Sequence, residues 1–193
     1  MIRKLFAGAA LVVAIPVLQG CAPLAVGAAA GGAIFMADDR RTAGIYIEDE
    51  NIEWKALYNI RSAAPNAHIN TTSYNRKVLL TGEAQTDAEK KKVEEAVAAV
   101  PSVREVTNEI QVAGNSSLAS RGSDSLVTSN VKARMVNNGK FSPNHVKVVT
   151  ESGVVYLMGL VTQAEGDAAA EIARTTSGVN RVVKVFEYIG SAK

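Results

Sequence analysis

The sequence predicts an α+β protein built from two tandem α-β-β-α-β modules, each a small three-stranded mixed sheet covered by two helices. Two observations support this prediction. First, the segment KVLLTGEA, which contains Leu80 and Gly82, is matched 77 positions later by VYLMGLV, which contains Leu157 and Gly159. Second, both segments lie between an amphipathic helix pattern and a second helix pattern that leads into a last strand. The same fold unit is therefore expected twice.

The N-terminus has the features of an export signal at residues 1–20. Arg3 and Lys4 provide the positive start, and Leu5–Leu18 is an apolar run too short to span a membrane comfortably. The run ends in LQGC, which resembles the lipobox of bacterial lipoproteins, with Cys21 as the residue that is acylated. An ordinary secretory signal with a chance cysteine is the alternative.

Cys21 is the only cysteine of the chain, so no internal disulfide is expected. The lipobox resemblance implies a diacylated Cys21 that also carries an N-linked fatty acid such as palmitate, and several acyl chains anchor a protein stably. Ala22 rather than Asp follows the cysteine, which by resemblance to enteric sorting favours the outer membrane, facing the periplasm. We expect residues 21–48 to form the lipidated tether, with Asp38–Gly44 as a solvated loop.

The first module, at residues 49–113, opens with a helix in which Ile52, Ala56 and Ile60 recur at four-residue spacing. The elements after it follow from alternating apolar residues, turn residues and a capping Thr or Asp. They are a strand from His68 to Tyr74, a half-buried strand from Lys77 to Ala84, a helix from Ala88 to Val100 ended by Pro101, and a strand from Val103 to Val112.

The second module, at residues 124–190, repeats this order after a Gly- and Ser-rich linker at residues 114–123. Its first helix is expected to be capped by Ser123 or Ser125. The sheet-facing residues of that helix are Val127, Val131 and Met135. The later elements are strands at Val146–Thr150 and Val154–Val161, a helix from Glu165 to Thr175, and a strand from Asn180 to Ile189. Because each module is near the lower size limit for folding alone, we expect the two to pack on each other.

The composition argues against several classes of function. The chain has 21 Lys and Arg against 19 Asp and Glu, and removal of Arg3 and Lys4 with the signal leaves it neutral. A basic stripe for nucleic acid is therefore not expected. No nucleophile motif, phosphate loop or acid-base constellation is evident, so we predict neither an enzyme nor a cofactor. His68 and His145 lie just before the first strand of each module, and without acidic residues at ligand spacing we predict no metal site.

The first helix of the second module is the most informative element, because the side opposite its sheet-facing residues is also apolar. That side and its flanks carry Leu126, Ser129, Lys132, Ala133, Arg134 and Val136. A helix with one buried face would place polar groups there. An apolar strip bordered by cations suits an anionic membrane surface, but the same face could be covered by the first module. The residues alone leave both alternatives open.

The first helix of the first module is apolar on two sides as well, with Trp54 and Tyr58 opposite its sheet-facing residues. This pattern predicts burial between the modules. Tyr74 is a candidate for that contact or for contact with lipid. Gly82 and Gly159 are assigned a structural role, at points where a side chain would collide with the adjacent helix or where the strand bends.

The order of these elements, the glycine ending each second strand, and the steps PSVREV and SGVNRV before the last strands resemble the BON domain family. Two copies behind a lipobox are similar to outer-membrane lipoproteins of that family. The resemblance implies a non-enzymatic protein that binds anionic phospholipid, phosphatidylglycerol or cardiolipin, and supports envelope integrity and cell division. It favours the lipid-facing alternative for the helix around Leu126, although family members noted for lipid contact carry Trp there. The other candidate is a periplasmic adaptor for cell-wall, division or outer-membrane assembly proteins.

Overall fold

A computed structural model describes residues 38–190, which contain both predicted modules. The predicted signal peptide, Cys21 and most of the predicted tether lie outside the described residues. No helix within 38–190 combines the length and the apolar character needed to cross a membrane.

The first module forms a mixed sheet with two helices on one face. Its elements are α1 (Ala43–Ala63), β1 (His68–Tyr74), β2 (Lys77–Ala84), α2 (Asp87–Ala98), β3 (Glu105–Asn108) and β4 (Gln111–Val112). β1 and β2 are antiparallel, while β3 and β4 both pair in parallel with β2. The single last strand predicted from Val103 to Val112 is therefore broken in two. The Asn108 side chain accepts a hydrogen bond from the backbone N–H of Ile110, whose side chain is fully buried in the core.

The second module repeats the arrangement. Its elements are α3 (Leu118–Val136), a 3₁₀ turn (Pro143–His145), β5 (Val146–Glu151), β6 (Val154–Val161), α4 (Gln163–Arg174) and β7 (Arg181–Tyr188). β5 and β6 are antiparallel, and β6 and β7 are parallel. α3 begins earlier than predicted because Ser117 caps it, accepting a hydrogen bond from the N–H of Ser120. The predicted capping by Ser123 or Ser125 is wrong, and residues 118–123 of the predicted linker are helical.

Each sheet packs its two faces on different partners. One face of each sheet lies on the helices of its own module and forms that module's core, as the sheet-facing residues of α1 and α3 predicted. The opposite faces of the two sheets meet, and we call the apolar residues they bury there the interface cluster. Its buried members are Tyr74, Leu79, Tyr156, Met158 and Leu160. The prediction that the modules pack on each other is confirmed.

This sheet-on-sheet contact explains the burial of β2 and β6. Seven of the eight residues of each strand are buried, so the expectation of a half-buried strand from Lys77 to Ala84 is wrong. Alternate residues of β2 point to different partners: Leu80 joins the core of its own module, whereas Leu79 joins the interface cluster. A strand covered on both faces is buried throughout.

The segment before α1 connects the two modules instead of forming the predicted solvated loop. Arg40 donates two hydrogen bonds to Glu165, at 2.7 and 2.8 Å, and a third to the carbonyl oxygen of Leu160. Arg41, whose side chain is only 7% exposed, forms an ion pair with Asp49 at 2.9 Å. Arg40 therefore binds the second module, and the adjacent Arg41 binds the first.

Two buried aspartates fasten the first helix of each module to the hairpin turn of its sheet. Asp49 of α1 accepts hydrogen bonds from the backbone N–H groups of Asn75 and Arg76. Asp124 of α3 accepts equivalent bonds from Ser152 and Gly153. These turns have positive φ at both central residues, and such tight turns leave N–H groups that need an acceptor.

Candidate functional site

The side of α3 that points away from the sheet is open to solvent. Val127, Val131 and Met135 hold the opposite side of the helix in the core of the second module. Leu126 is 68% exposed and Val136 is 65% exposed. Neither residue is covered by the first module, so the alternative that the first module buries this side does not hold.

Leu118 extends this exposed strip and was missed by sequence reasoning. It is the first residue of α3 and is 82% exposed. It lies on the same side as Val136, since eighteen residues make five complete turns of an α-helix. Recognition of Ser117 as a helix cap would have included Leu118 in the helix. We define the outward face of α3 as Leu118, Leu126, Ser129, Lys132, Ala133 and Val136.

The outward face has positive charge beside it, and α3 itself contributes no exposed acid. The only acidic residue of α3 is Asp124, and its carboxylate is buried against the β5–β6 turn. Lys132 is exposed beside Val136, and Ser129 and Ala133 are exposed between them and Leu126. An apolar strip with a cation at its edge and no exposed carboxylate on its own helix is compatible with an anionic surface.

Arg134 is less available than the sequence suggested. Its guanidinium donates to the carbonyl oxygen of Ile172 and to the hydroxyl groups of Thr175 and Thr176, at 2.6–2.9 Å. These atoms lie at the C-terminal end of α4, where a positive charge also interacts favourably with the helix dipole. Arg134 therefore joins the two helices of the second module, and Lys132 is the freer cation.

The structure decides the roles of two predicted contact residues. Tyr74 is only 4% exposed and belongs to the interface cluster, so it makes the inter-module contact, which was one of its two alternatives, and not the lipid contact. Burial raises the pKa of its hydroxyl group to about 12, and the Arg41 guanidinium lies 4.0 Å from the centre of its ring. Trp54 is 69% exposed, so the prediction that it packs between the modules is wrong. The sheets, rather than α1, provide most of that packing.

Gly82 and Gly159 lie where each second strand passes the beginning of the first strand. A Cβ at Gly82 would overlap the carbonyl oxygen of His68, and one at Gly159 would overlap that of His145. The obstacle is the neighbouring strand, not the adjacent helix proposed from the sequence. Gly82 also has φ of +105°, a conformation that favours glycine. Neither glycine is placed to bind a ligand.

One cluster contradicts the expectation that no acidic residues surround the histidines. Glu83 and Glu151 come from different modules, and each brings a carboxylate oxygen within 4.8 Å of the His68 imidazole. Burial raises the pKa of Glu151. The pKa of Glu83 is lowered, because hydrogen bonds from Ser116 and His68 outweigh its burial. Sequence spacing missed this cluster because its members meet only when the modules pack.

Two α-β-β-α-β modules joined through their sheets define a class of small proteins with paired α+β modules. The chain belongs to the BON domain family, whose model matches residues 49–114 and 123–190. The prediction of two BON domains is confirmed.

Curated relatives agree with this assignment. The chain is 38% identical over 177 residues to the outer membrane lipoprotein DolP of Haemophilus influenzae, covering 89% of this chain and 90% of that protein. It is 37% identical over 154 residues to the 21 kDa hemolysin of Actinobacillus pleuropneumoniae, covering 78% and 79%. It is 31% identical over 117 residues to the osmotically-inducible protein Y of Escherichia coli, covering 59% and 58%. The chain is thus a BON-domain protein of the bacterial envelope, similar to DolP.

Proposed function

We propose that this protein is a non-enzymatic lipoprotein of the outer membrane that binds anionic phospholipid through the outward face of α3. In this proposal Cys21 carries the acyl chains and the two modules face the periplasm. The relative named outer membrane lipoprotein DolP supports this location. By binding phosphatidylglycerol or cardiolipin, the protein would contribute to envelope integrity and cell division.

The observation that carries the proposal is the exposure of Leu126 and Val136 on a helix side without exposed acid. Apolar side chains of this kind gain free energy when they enter the boundary between headgroups and acyl chains. Lys132 adds about 1 kcal/mol of attraction to an anionic surface. This is weak for a free protein. An acylated Cys21 makes the contact effectively intramolecular, so a weak contact suffices.

The two modules have different roles in this proposal. The first module supports the second through the interface cluster, which leaves α3 covered on one side only. Duplication thus stabilises two small folds and keeps one helix free for the membrane.

The proposal is tested with a chain that starts at residue 22 and carries no lipid. Both cores and the interface cluster lie within residues 38–190, so this chain retains the fold. We expect it to co-sediment with vesicles containing phosphatidylglycerol or cardiolipin and not with phosphatidylcholine vesicles. Leu126→Asp should weaken binding more than tenfold, because burial of a leucine contributes about 1.5–3 kcal/mol.

A matched control is Tyr58→Asp on α1, which replaces a similarly exposed side chain, 74% accessible, on the corresponding helix of the first module. It should bind the anionic vesicles like the unmodified chain. Equal loss in both variants would show that any added charge weakens binding and would remove the assignment to α3. No association with either vesicle type would favour the alternative in which the same face binds an envelope or division protein.

A further inference from the structure

Three metal-ligating side chains meet at the junction of the two modules. His68 begins β1, Glu83 lies near the end of β2, and Glu151 is the last residue of β5. One ligating atom from each of the three lies within 4.8 Å of those of the other two. Two of the residues come from the first module and one comes from the second, so the cluster exists only in the packed molecule.

The charges of this cluster are not balanced. Glu83 is 4% exposed, and its carboxylate lies 2.9 Å from the Nδ1 atom of His68. Glu151 is 7% exposed, and its hydrogen-bond partners within residues 38–190 are the neutral side chains of Asn70 and Thr81. A buried carboxylate is costly without a cation beside it. The cluster therefore has two buried carboxyl groups and one imidazole, and within residues 38–190 no Lys or Arg side chain is hydrogen-bonded to either carboxyl group.

Solvent can reach the cluster through a cavity of about 370 Å³. His68, Asp124 and Glu151 line it, and Asp124 adds a third carboxylate to the surroundings. Arg121 is the single Lys or Arg among the described residues that line this cavity. Its guanidinium donates to the backbone oxygen and the hydroxyl group of Ser116. Ser116 in turn contacts Glu83 and His68, but within residues 38–190 Arg121 makes no hydrogen bond to either glutamate of the cluster.

At the equivalent position in the second module, an arginine is bound to the acidic residue beside the histidine. His145 lies 3.7 Å from Glu165 and 3.8 Å from Asp38. There Arg40 supplies the cation, because its guanidinium makes two hydrogen bonds to Glu165. The cluster around His68 has acidic residues of the same kind, and no arginine within residues 38–190 is hydrogen-bonded to them.

We propose that His68, Glu83 and Glu151 bind one divalent transition-metal ion, best matched by Zn²⁺, which links the two modules. An imidazole nitrogen with two carboxylate oxygens is a donor set that zinc accepts, with water as a fourth ligand. Ca²⁺ and Mg²⁺ prefer six or more oxygen ligands, so the imidazole disfavours them. Zinc ligands lie about 3.3–3.6 Å apart. The three ligating atoms already lie within 4.8 Å of one another, so side-chain movements of about 1 Å suffice to reach this spacing.

The test measures zinc binding by the lipid-free chain from residue 22, first stripped with EDTA. Calorimetric titration with ZnCl₂ should give one site per chain. Zinc at one hundred times its dissociation constant should raise the melting temperature by about 5–10 °C. Co²⁺ in place of zinc should give the visible absorption of a four-coordinate nitrogen and oxygen site. MgCl₂ should neither bind in the calorimetric titration nor raise the melting temperature.

Glu151→Gln is the decisive variant, because it keeps an acceptor for Asn70 and Thr81 and removes the charge. It should fold and lose the zinc response. His145→Gln is the matched control at the equivalent position and should keep the response. The proposal is overturned if the unmodified chain shows no stoichiometric zinc binding, or if Glu151→Gln binds zinc as the unmodified chain does. None of these outcomes depends on lipid binding, so they separate this inference from the proposed function.

Discussion

The first helices of the two modules have similar buried faces and different exposed faces. α1 places Ile52, Ala56 and Ile60 in its core, and α3 does the same with its sheet-facing residues. Both helices also expose large apolar side chains, including Trp54 on α1 and Leu126 on α3. Exposure of apolar surface alone therefore does not distinguish a membrane-binding helix from its duplicate.

Charge distinguishes the two helices. α1 carries Glu48, Glu50 and Glu53 at exposed or half-buried positions, together with the exposed Lys55 and Arg61, whereas the single acidic residue of α3 is buried. An excess of carboxylates on α1 is less favourable beside an anionic surface than the excess of cations on α3. The two helices have the same packing role, and their difference in charge is the reason that α3 is the helix proposed to contact anionic lipid.

The largest expected effect concerns the aspartates that fasten the two helices. Asp49 accepts bonds from the Asn75 and Arg76 N–H groups and from the Ser73 hydroxyl, and it pairs with Arg41. Asp49→Ala should lower the free energy of unfolding by about 3–5 kcal/mol, because it leaves these groups unpaired. Urea denaturation followed by circular dichroism measures this loss.

Asp124→Ala is the matched comparison in α3. Asp124 accepts hydrogen bonds from only two backbone N–H groups, so its removal should cost about 2 kcal/mol. The larger number of partners of Asp49 predicts that α1 is held more firmly than α3. An equal or larger loss of stability for Asp124→Ala would contradict this prediction.

An intermediate effect is expected for Arg40, which holds the second module as Arg41 holds the first. Hydrogen bonds from Arg40 lower the pKa of Glu165 from 4.5 to about 2. A lowered pKa contributes stability above the unfolded value, which is lost as pH falls from about 4.5 to about 2. Between pH 6 and pH 3 the loss should be about 2 kcal/mol, measured by urea denaturation at both pH values. Arg40→Gln should show a smaller loss between these two pH values, and an identical loss would rule out this pair as the cause.

A smaller effect is expected from charge reversal on the outward face of α3. Lys132→Glu should weaken binding to phosphatidylglycerol vesicles about 10- to 30-fold, since two units of charge change at about 1 kcal/mol each. High salt should reduce the difference. Trp54→Asp on α1 should bind as the unmodified chain does. Greater loss from Trp54→Asp than from Lys132→Glu would assign the membrane contact to α1 instead.

Local patterns were sufficient to predict most of the elements. The bounds of β1, β2 and β6 agree with the sequence prediction, because alternating apolar residues and tight turns define them locally. The start of α3 was missed, because a Gly- and Ser-rich composition concealed a helix capped by Ser117. Composition describes an average property of a segment, whereas a cap depends on one hydrogen bond.

The candidate site was predicted only in part, because periodicity describes one helix and not the elements that pack around it. Periodicity identified the outward position of Leu126 and Val136 on α3, but not whether another module covers them. It could not show that Tyr74 is buried while Trp54 is exposed, since both belong to apolar patterns. Nor could it show that Arg134 is bound to the end of α4.

The sequence by itself determined the duplication, the order of the elements, the family and the side of each helix that faces its sheet. Helical and strand periods encode these features within a few residues. Only the tertiary structure decided that the modules join through their sheets, that Arg40 reaches Glu165, and that His68, Glu83 and Glu151 meet. Such contacts join residues far apart in the chain, and they depend on which faces of the modules pack together, which no local pattern specifies.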